Sequence, residues 1–487
     1  METNTRSLES LPAVCVVGLN HFSENYLCRL KMKAKPMDSS VVFTMRIRIV
    51  LGGMCIFLVS LIIAGAWTIP FLFESPSILY KFGIEKTFLR TGKVLGVTAA
   101  VLVFFQILLV SRLKFLDRIF SLNRMVYFHR MNGLAIAFLV FVHPILIIAA
   151  ENFTLFPFEK RYWPEFLGVG VLIFVLVVVT TANWRLMFNF AYDQWLRFHR
   201  LITVVAIALM TTHILFVSKT FNSGLPHTLV FVTAGVNLML ISRLWFRRLF
   251  PGRKRRFVVS NVEPAGKDAY SIAVQPCDGQ ILDHIPGQFA FITPVSEIVP
   301  KEEHPFTISS TPSRPGALQF VIRSLGDWTS NISRLKAGET VLIDGPYGLF
   351  SHKVLTENEP IIMIAGGIGI TPMLSMLRYM ADVDDPRQIL LIWSNKTKEH
   401  IVFPEEFNAL EQSLQHFHII HLITRDSEGK NKIGRLDQNR LEKLLKGWRR
   451  TSNIFICCPL EMMKEMTRSV KNIGFSSARV YKEDFRL

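Results

Sequence analysis

The sequence predicts a multidomain protein: a six-helix all-α transmembrane bundle, then a small antiparallel β-barrel, then an α/β domain built on a parallel sheet. Three observations predict it. Half of the 487 residues are hydrophobic and mean hydropathy is +0.32, but the apolar content is concentrated in six long runs between Ile49 and Phe246. After Arg256 apolar residues alternate between turns, the period-two pattern of half-buried strands. From Pro360 onward, apolar strands and amphipathic helices take turns, as in a parallel sheet. A chain of this length holds two or three domains. The expected division is an N-terminal extension over 1–45, a membrane domain over 46–250, a barrel over 251–358 and an α/β domain over 359–487.

The six runs are Ile49–Pro70, Val94–Val110, Met131–Ala150, Phe166–Thr181, Leu201–Val217 and Leu229–Phe246. A bilayer core needs about 20 helical residues, so several runs reach across only when flanking residues such as Phe128–Arg130 extend the helix. Loop charge sets direction. Arg112, Lys114, Arg118 and Arg124 follow the second run, Arg185 and Arg197 the fourth, and RRLFPGRKRR (Arg247–Arg256) the sixth. In an alternate loop, Lys160 and Arg161 are offset by Glu151, Glu159 and Glu165. Both termini are therefore expected in the cytosol, with the chain integral to the plasma (inner) membrane.

The first 45 residues lack periodicity; they are either a disordered extension or a start placed ahead of the native one. They do not read as a signal peptide, because KMKAK follows the weak apolar segment Leu11–Leu19 rather than preceding it. The formal charge of +17 is accounted for by the basic loops, so no nucleic-acid partner is expected. The six cysteines form no zinc or disulfide framework. Cys457 and Cys458 are expected reduced in the cytosol.

The third and fifth runs carry the same arrangement. FHRMNGLAIAFLVFVH runs from Phe128 to His143 and FHRLITVVAIALMTTH from Phe198 to His213, with the two histidines of each at i and i+14. In a helix that spacing rises about 21 Å and leaves roughly 40° of angular offset, so both rings of one helix point nearly the same way. The two spans are separated by one span and run parallel. Facing each other, they make two histidine pairs at different depths. A lone histidine in a span is as readily a hydrogen-bonded core residue as a ligand. Four in two matched pairs suit axial ligation of two b-type haems by His129, His143, His199 and His213. No carboxylate accompanies them within these runs, which makes zinc or a proton relay a weaker reading. Arg130 and Arg200 read as interface anchors, propionate partners or both; Pro144 bends the outer part of the third span. His227 reads as a surface residue.

The soluble part opens with strands and turns: RFVVSNVEPAGKDAYSIAV, PGQFAFITP, HPFTISS and ALQFVIRSLGDWT. Then PIIMIAGGIGITPMLSMLRYM (Pro360–Met380) reads as strand, glycine-rich loop and helix. Gly366, Gly367 and Gly369 let backbone approach a pyrophosphate, and Pro372 suits the first helical turn. A glycine triplet alone is a weak signal. Between a strand and a helix, and followed by ILLIWSN and NIFICCP as further strands, it is a strong one.

Together HPFTISS (His304–Ser310), IRSLGDWT (Ile322–Thr329), GPYG (Gly345–Gly348), AGGIGITP (Ala365–Pro372), ICCP (Ile456–Pro459) and the histidine spacing resemble the ferric reductase/NADPH oxidase family in its prokaryotic-type form, over about residues 46–487. The resemblance implies a bis-haem membrane domain fused to a ferredoxin-reductase-like dehydrogenase that binds FAD and NADPH or NADH. It implies His304, Pro305, Phe306 and Thr307 at the flavin, with Arg323 and the Gly326–Thr329 stretch at its pyrophosphate. It implies Gly366, Gly367, Gly369 and Thr371 at the nicotinamide nucleotide. Cys457 takes the position of a family cysteine beside the nicotinamide, while Cys458 replaces a glycine. In the C-terminal YKEDFRL, Phe485 matches an aromatic that stacks on the flavin; packing into the barrel is the bland alternative.

These parts imply transmembrane electron transfer from cytosolic NAD(P)H to an acceptor at the outer face. Dioxygen, reduced to superoxide, is the leading expectation. A ferric or other metal chelate is the alternative, and a separate outer-face protein partner the second alternative. Animal oxidases of the family carry a further histidine one turn after the outer ligand, where this chain has Ile147. Arg90 reads as an aid to an anionic product or as an interface residue. Lys396 and Lys398, after the second strand of the α/β domain, are candidates for a 2′-phosphate. No EF-hand loop is present, so calcium control through such a module is not expected.

Overall fold

In the computed structural model, residues 45–74, 82–153, 158–184, 187, 192–217, 219–221, 224–249, 254–279, 281–314, 316–355, 358–425 and 434–484 are described. The extension before Met45 lies outside them, as do Arg185 and Phe485.

Among the described residues, seven helices come first: α1 (Met45–Leu72), α2 (Gly83–Val110), α3 (Lys114–Phe120), α4 (Leu122–Ala150), α5 (Trp163–Asn183), α6 (Tyr192–Val217) and α7 (Gly224–Leu249). All but α3 are long and apolar enough to cross a membrane. Each outruns its apolar run, because a helix continues through charged residues where water or headgroups solvate them. The largest extension is in α2, which begins at Gly83, well ahead of Val94, and so includes Glu85, Lys86, Arg90 and Lys93. Helix α3, within a segment read from sequence only as a basic loop, is a short piece on the reductase side. Helix α2 packs mainly on α4 and α5 mainly on α6, while Ile107, Ile207 and Leu240 join α2, α6 and α7 in a buried cluster.

The second body is an antiparallel six-stranded sheet, β1 (Arg255–Gly266), β2 (Ala269–Pro276), β3 (Phe289–Val295), β4 (His304–Thr307), β5 (Leu318–Arg323) and β6 (Thr340–Tyr347), in the order β4-β3-β6-β1-β2-β5. Its ends approach through the Ile308–Phe320 bridge, and the core between carries Phe257, Ile292, Phe320 and Ile343. The short helix α8 (Asp327–Ser330) follows β5.

The third body is a parallel sheet of β7 (Ile361–Gly366), β8 (Ile389–Asn395), β9 (Phe417–Ile423), β10 (Asn453–Cys457) and β11 (Val480–Lys482), ordered β11-β10-β7-β8-β9. Helices α9 (Thr371–Asp382), α10 (Pro404–Ser413), α11 (Gln438–Leu444) and α12 (Leu460–Asn472) alternate with the strands. Every residue of β7 is buried, as expected of a strand covered on both faces.

The membrane bundle docks on the antiparallel sheet through α3 and the start of α4. Leu122 and Met125 pack against Phe289, Phe291 and Tyr347. Around this apolar contact, Arg112 lies over the Phe291 ring, 3.6 Å from its centroid, and pairs with Glu303 at 2.9 Å. Lys254 reaches the same carboxylate at 2.9 Å. The Asp117 carboxylate accepts from the Leu122 amide at 2.8 Å and the Gly348 amide at 3.2 Å, so one side chain ties both bodies. Lys114 donates to the Gly345 carbonyl at 3.1 Å.

Burial opposes ionisation of Glu303, but Arg112 and Lys254 outweigh it and hold its pKa down to about 2, from an ordinary 4.5. A depressed carboxylate stabilises the fold above its unfolded pKa, and the benefit is lost as pH falls through the folded value. Glu303→Gln is expected to cost about 1.5–3 kcal/mol at neutral pH, the range for hydrogen bonds to a charged group. Thermal unfolding of the purified protein should show this deficit shrinking between pH 4.5 and about 2.

Candidate redox site

The bundle's histidines do not stand free. The His143 Nδ1 lies 2.7 Å from the Gly92 carbonyl oxygen and the His213 Nδ1 2.7 Å from that of Pro164. The His129 Nδ1 lies 3.1 Å from the Gln106 carbonyl oxygen. A carbonyl accepts only, so each of these imidazoles donates from Nδ1 and turns its Nε2 lone pair the other way. That arrangement is the usual support of a metal-bound histidine. The His129 and His199 rings lie edge to face, at 66°, with centroids 6.3 Å apart. The His199 Nδ1 is buried and has no hydrogen-bond partner among the described residues; its ring packs 5.1 Å from that of Trp195.

Space for the outer rings comes from glycine. A Cβ on Gly96 would stand 2.9 Å from the His143 Cε1, and one on Gly168 2.7 Å from the His213 Cε1. Each glycine lies at i+4, about one turn, beyond the residue whose carbonyl takes the Nδ1 proton. The motif of carbonyl acceptor and glycine one turn on occurs once in α2, for α4, and once in α5, for α6. Sequence reasoning missed Gly92, Gly96, Pro164 and Gly168. Their signal was the repeat of small or helix-starting residues at equal spacing in α2 and α5. The Nδ1 partners of His129, His143 and His213 and the room left at Gly96 and Gly168 fit imidazole ligation of a bound group.

Asn123, at the start of α4 and below His129 on the same helix, donates to the Glu483 carboxyl group. The end of the chain thus meets the helix that carries His129. Burial pushes the Glu483 pKa up to about 8, partly offset by the Asn123 hydrogen bond, so this carboxyl is mostly protonated at neutral pH. Asp117, buried at the same junction, is raised to about 6 by burial against the pull of its two backbone amides.

On the antiparallel sheet, His304, Pro305, Phe306 and Thr307 form β4. The Trp328 ring lies 4.2 Å from His304 and 5.7 Å from Phe306, stacked on the latter at 20°. Trp328 is itself held by a 2.9 Å bond from its indole N–H to the Pro300 carbonyl. Gly326 caps α8, and the Thr329 hydroxyl accepts from the Leu325 and Gly326 amides, both at 2.9 Å. Arg323 ends β5; its Nε is buried without a hydrogen-bond partner among the described residues, and its Nη1 would stand 3.2 Å from a Cβ on Gly367. A buried guanidinium nitrogen left over beside a glycine-rich loop fits a phosphate.

The glycine loop has a second reason to be glycine. A Cβ on Gly369 would stand 2.2 Å from the Cys457 carbonyl oxygen, and one on Gly366 2.7 Å from the Cys458 Cβ. The loop is pressed against the end of β10, and the extra bulk of Cys458 is met by the absence of a side chain at Gly366. Of the three loop glycines, only Gly367, at φ +55, sits in the left-handed region. Thr371 begins α9 and is buried, its hydroxyl donating to the Ile368 carbonyl at 3.2 Å. The Cys457 thiol is enclosed in the sheet, and burial pushes its pKa well above the usual value; that of Cys458 is pushed up to about 12. Both are thiols at neutral pH. The loop after β8 carries Lys396 and Lys398.

Three family models match the chain in order: "Ferric reductase like transmembrane component" over 95–210, "FAD-binding domain" over 257–351 and "Oxidoreductase NAD-binding domain" over 363–468. Flavohemoprotein A of Dictyostelium discoideum is 26% identical over 246 residues, 47% of this chain and 60% of that protein. NADH-cytochrome b5 reductase 1 of Pyricularia oryzae is 31% identical over 182 residues, 36% of this chain and 58% of that one. The chain thus spans about 60% of the length of the curated relatives it matches. The cytochrome b5 reductase domain of Ulva prolifera nitrate reductase is 21% identical, with a TM-score of 0.43 over 48% of this chain and 98% of that one. A ferric-reductase-like membrane domain is therefore fused to FAD- and NAD-binding domains, and the chain is an integral membrane protein with the architecture of the ferric reductase/NADPH oxidase family.

Proposed function

We propose that the chain takes electrons from cytosolic NAD(P)H and delivers them, through FAD and two b-type haems, to a small-molecule acceptor at the outer face. The observation that carries the reading is the adjoining His129 and His199 rings at the reductase end of the bundle. It is joined, farther along the same two helices, by His143 and His213, each oriented by a backbone carbonyl of a neighbouring helix. When bound, the flavin would convert a two-electron hydride into single electrons, and the haems would carry those across.

The chain's own residues supply position. His129 and His199 would hold one haem, His143 and His213 the other. His304 to Thr307 would lie along the flavin, with Trp328 fixing the rings of His304 and Phe306. Arg323 would meet the pyrophosphate. Gly366, Gly367, Gly369 and Thr371 would receive the nicotinamide nucleotide, with Cys457 beside its reacting end. Lys396 and Lys398 make NADPH a candidate as well as NADH. The basic loops support an orientation with the reductase domains in the cytosol.

Two observations favour a ferric or other metal chelate over dioxygen. Ile147 sits one turn beyond His143 against Gly92, where a Cβ would stand 2.8 Å from the Ile147 Cδ1, so that position is a tight apolar contact. Arg90 is paired with Glu74 and lies 5.2 Å from the Phe71 centroid, toward α1 rather than α4.

Purified protein is expected to carry two b-type haems per chain by pyridine haemochromogen assay. His199→Ala and Gly168→Val should each bring this to about one, the first by removing a ligand and the second by driving a side chain into His213. Unchanged haem content in both variants would sink the ligand assignment. NADPH-driven anaerobic reduction of a ferric chelate should exceed superoxide-dismutase-sensitive reduction of cytochrome c in air. The reverse order would restore dioxygen as the acceptor. Gly369→Ala, which places a methyl on the Cys457 carbonyl, should cut flavin reduction by NADPH at least tenfold while leaving dithionite reduction of the haems intact. A variant that turns over at the wild-type rate would contradict the close loop contact.

A further inference from the structure

Helix α2 repeats internally at the i, i+14 spacing of the histidines it serves. Gln106 offers its carbonyl to His129, and Gly92, at that spacing toward the N-terminus, offers its carbonyl to His143. The residue after Gln106 is Ile107, which is buried against Ile207 of α6 and Leu240 of α7. The residue after Gly92 is Lys93. Since that spacing returns a helical side chain to within about 40° of the same direction, Lys93 follows the carbonyl that holds His143 as Ile107 follows the one that holds His129. By that periodicity it leaves α2 toward the side on which Ile107 meets α6 and α7.

Lys93 is half-buried, and no carboxylate pairs with it among the described residues. Arg90, one turn away, is already engaged by Glu74 and Phe71 on the α1 side. Glu165, at the matching position after Pro164 in α5, makes no ion pair with Lys93; its Oε2 is buried without a hydrogen-bond partner among the described residues. A half-buried cation at the outer margin of the span, with no carboxylate partner among the described residues, suits a counter-charge that comes and goes.

We propose that Lys93 is the specificity-determining cation of the outer acceptor site and selects a negatively charged acceptor, such as a polycarboxylate chelate of ferric iron. The inference rests on the electron-transfer reading above. Each NAD(P)H supplies two electrons, two Fe(III) chelates become two Fe(II) chelates, and one proton is released where NAD(P)H is oxidised. No bond to Lys93 forms or breaks; its ammonium holds the anion near the outer histidine pair. The alternative is an ammonium that only reaches outward to the lipid headgroups.

The test uses the full-length protein in detergent, with haem content as the check on folding. Gallium(III)–citrate, a redox-inert anion, is titrated by calorimetry into wild type, Lys93→Gln and Lys93→Arg. Anaerobic reduction of ferric citrate is compared with that of hexaammineruthenium(III), a cation. Lys93→Gln should weaken gallium–citrate binding and raise the KM for ferric citrate by about tenfold, while reduction of the ruthenium cation speeds up; Lys93→Arg should retain anion binding. Parallel loss on both acceptors would mean that Lys93 acts on the outer redox centre itself, and no change would mean interface anchoring; either overturns the proposal. A wild-type protein that holds haem but reduces neither acceptor would overturn the electron-transfer reading as well.

Discussion

The bond between an imidazole Nδ1–H and a backbone carbonyl of the neighbouring helix is the contact on which the membrane half depends. A polar ring in an apolar bundle must be satisfied, or it costs the desolvation of a lone donor. The bond meets that need at Gly92, Pro164 and Gln106 and also decides which nitrogen is left over. It requires α2 to lie close along α4, and α5 along α6, which explains Gly96 and Gly168 at the points of contact. Helix pairing, ring orientation and the available lone pair are thus consequences of one geometry.

The reductase half is joined to this bundle by contacts of a different kind. Leu122, Met125, Phe289 and Phe291 supply an apolar seat, while Arg112, Lys254 and Glu303 supply a charged rim that resists sliding. Asp117 and the Asn123–Glu483 contact then bring the last described residues of the chain to the foot of the His129 helix. Electron transfer depends on distance, so a rigid seat at this junction matters more than the strength of any one bond.

Much of this was legible in the residues. The i, i+14 histidine spacing marks two levels because helical periodicity leaves few other outcomes, and the strand–glycine–helix pattern marks the first nucleotide-domain strand. What stayed hidden was whatever depends on a partner without a distinctive side chain. Any residue has a carbonyl, so nothing marked Gln106 or Gly92 as acceptors. Helix α3 and the early start of α2 were hidden by their charges, which interrupt an apolar run without interrupting a helix. The glycines at 366 and 369 were read as making room for a phosphate; their nearest neighbours are Cys457 and Cys458, residues far along the chain whose approach no local pattern announces. Lys93 carries no mark in the sequence because it lies just before the apolar run; the internal repeat of α2 is what relates it to the outer histidines.

The central claim is that electrons cross the bilayer along the two histidine levels. It is tested most directly in sealed proteoliposomes loaded with a membrane-impermeant ferric chelate, with NADPH supplied only outside. The account predicts that molecules with their reductase domains outward reduce the trapped iron, and that His143→Ala stops this while flavin-level reduction of ferricyanide outside continues. Reduction confined to acceptors on the NADPH side in the wild-type protein would contradict it.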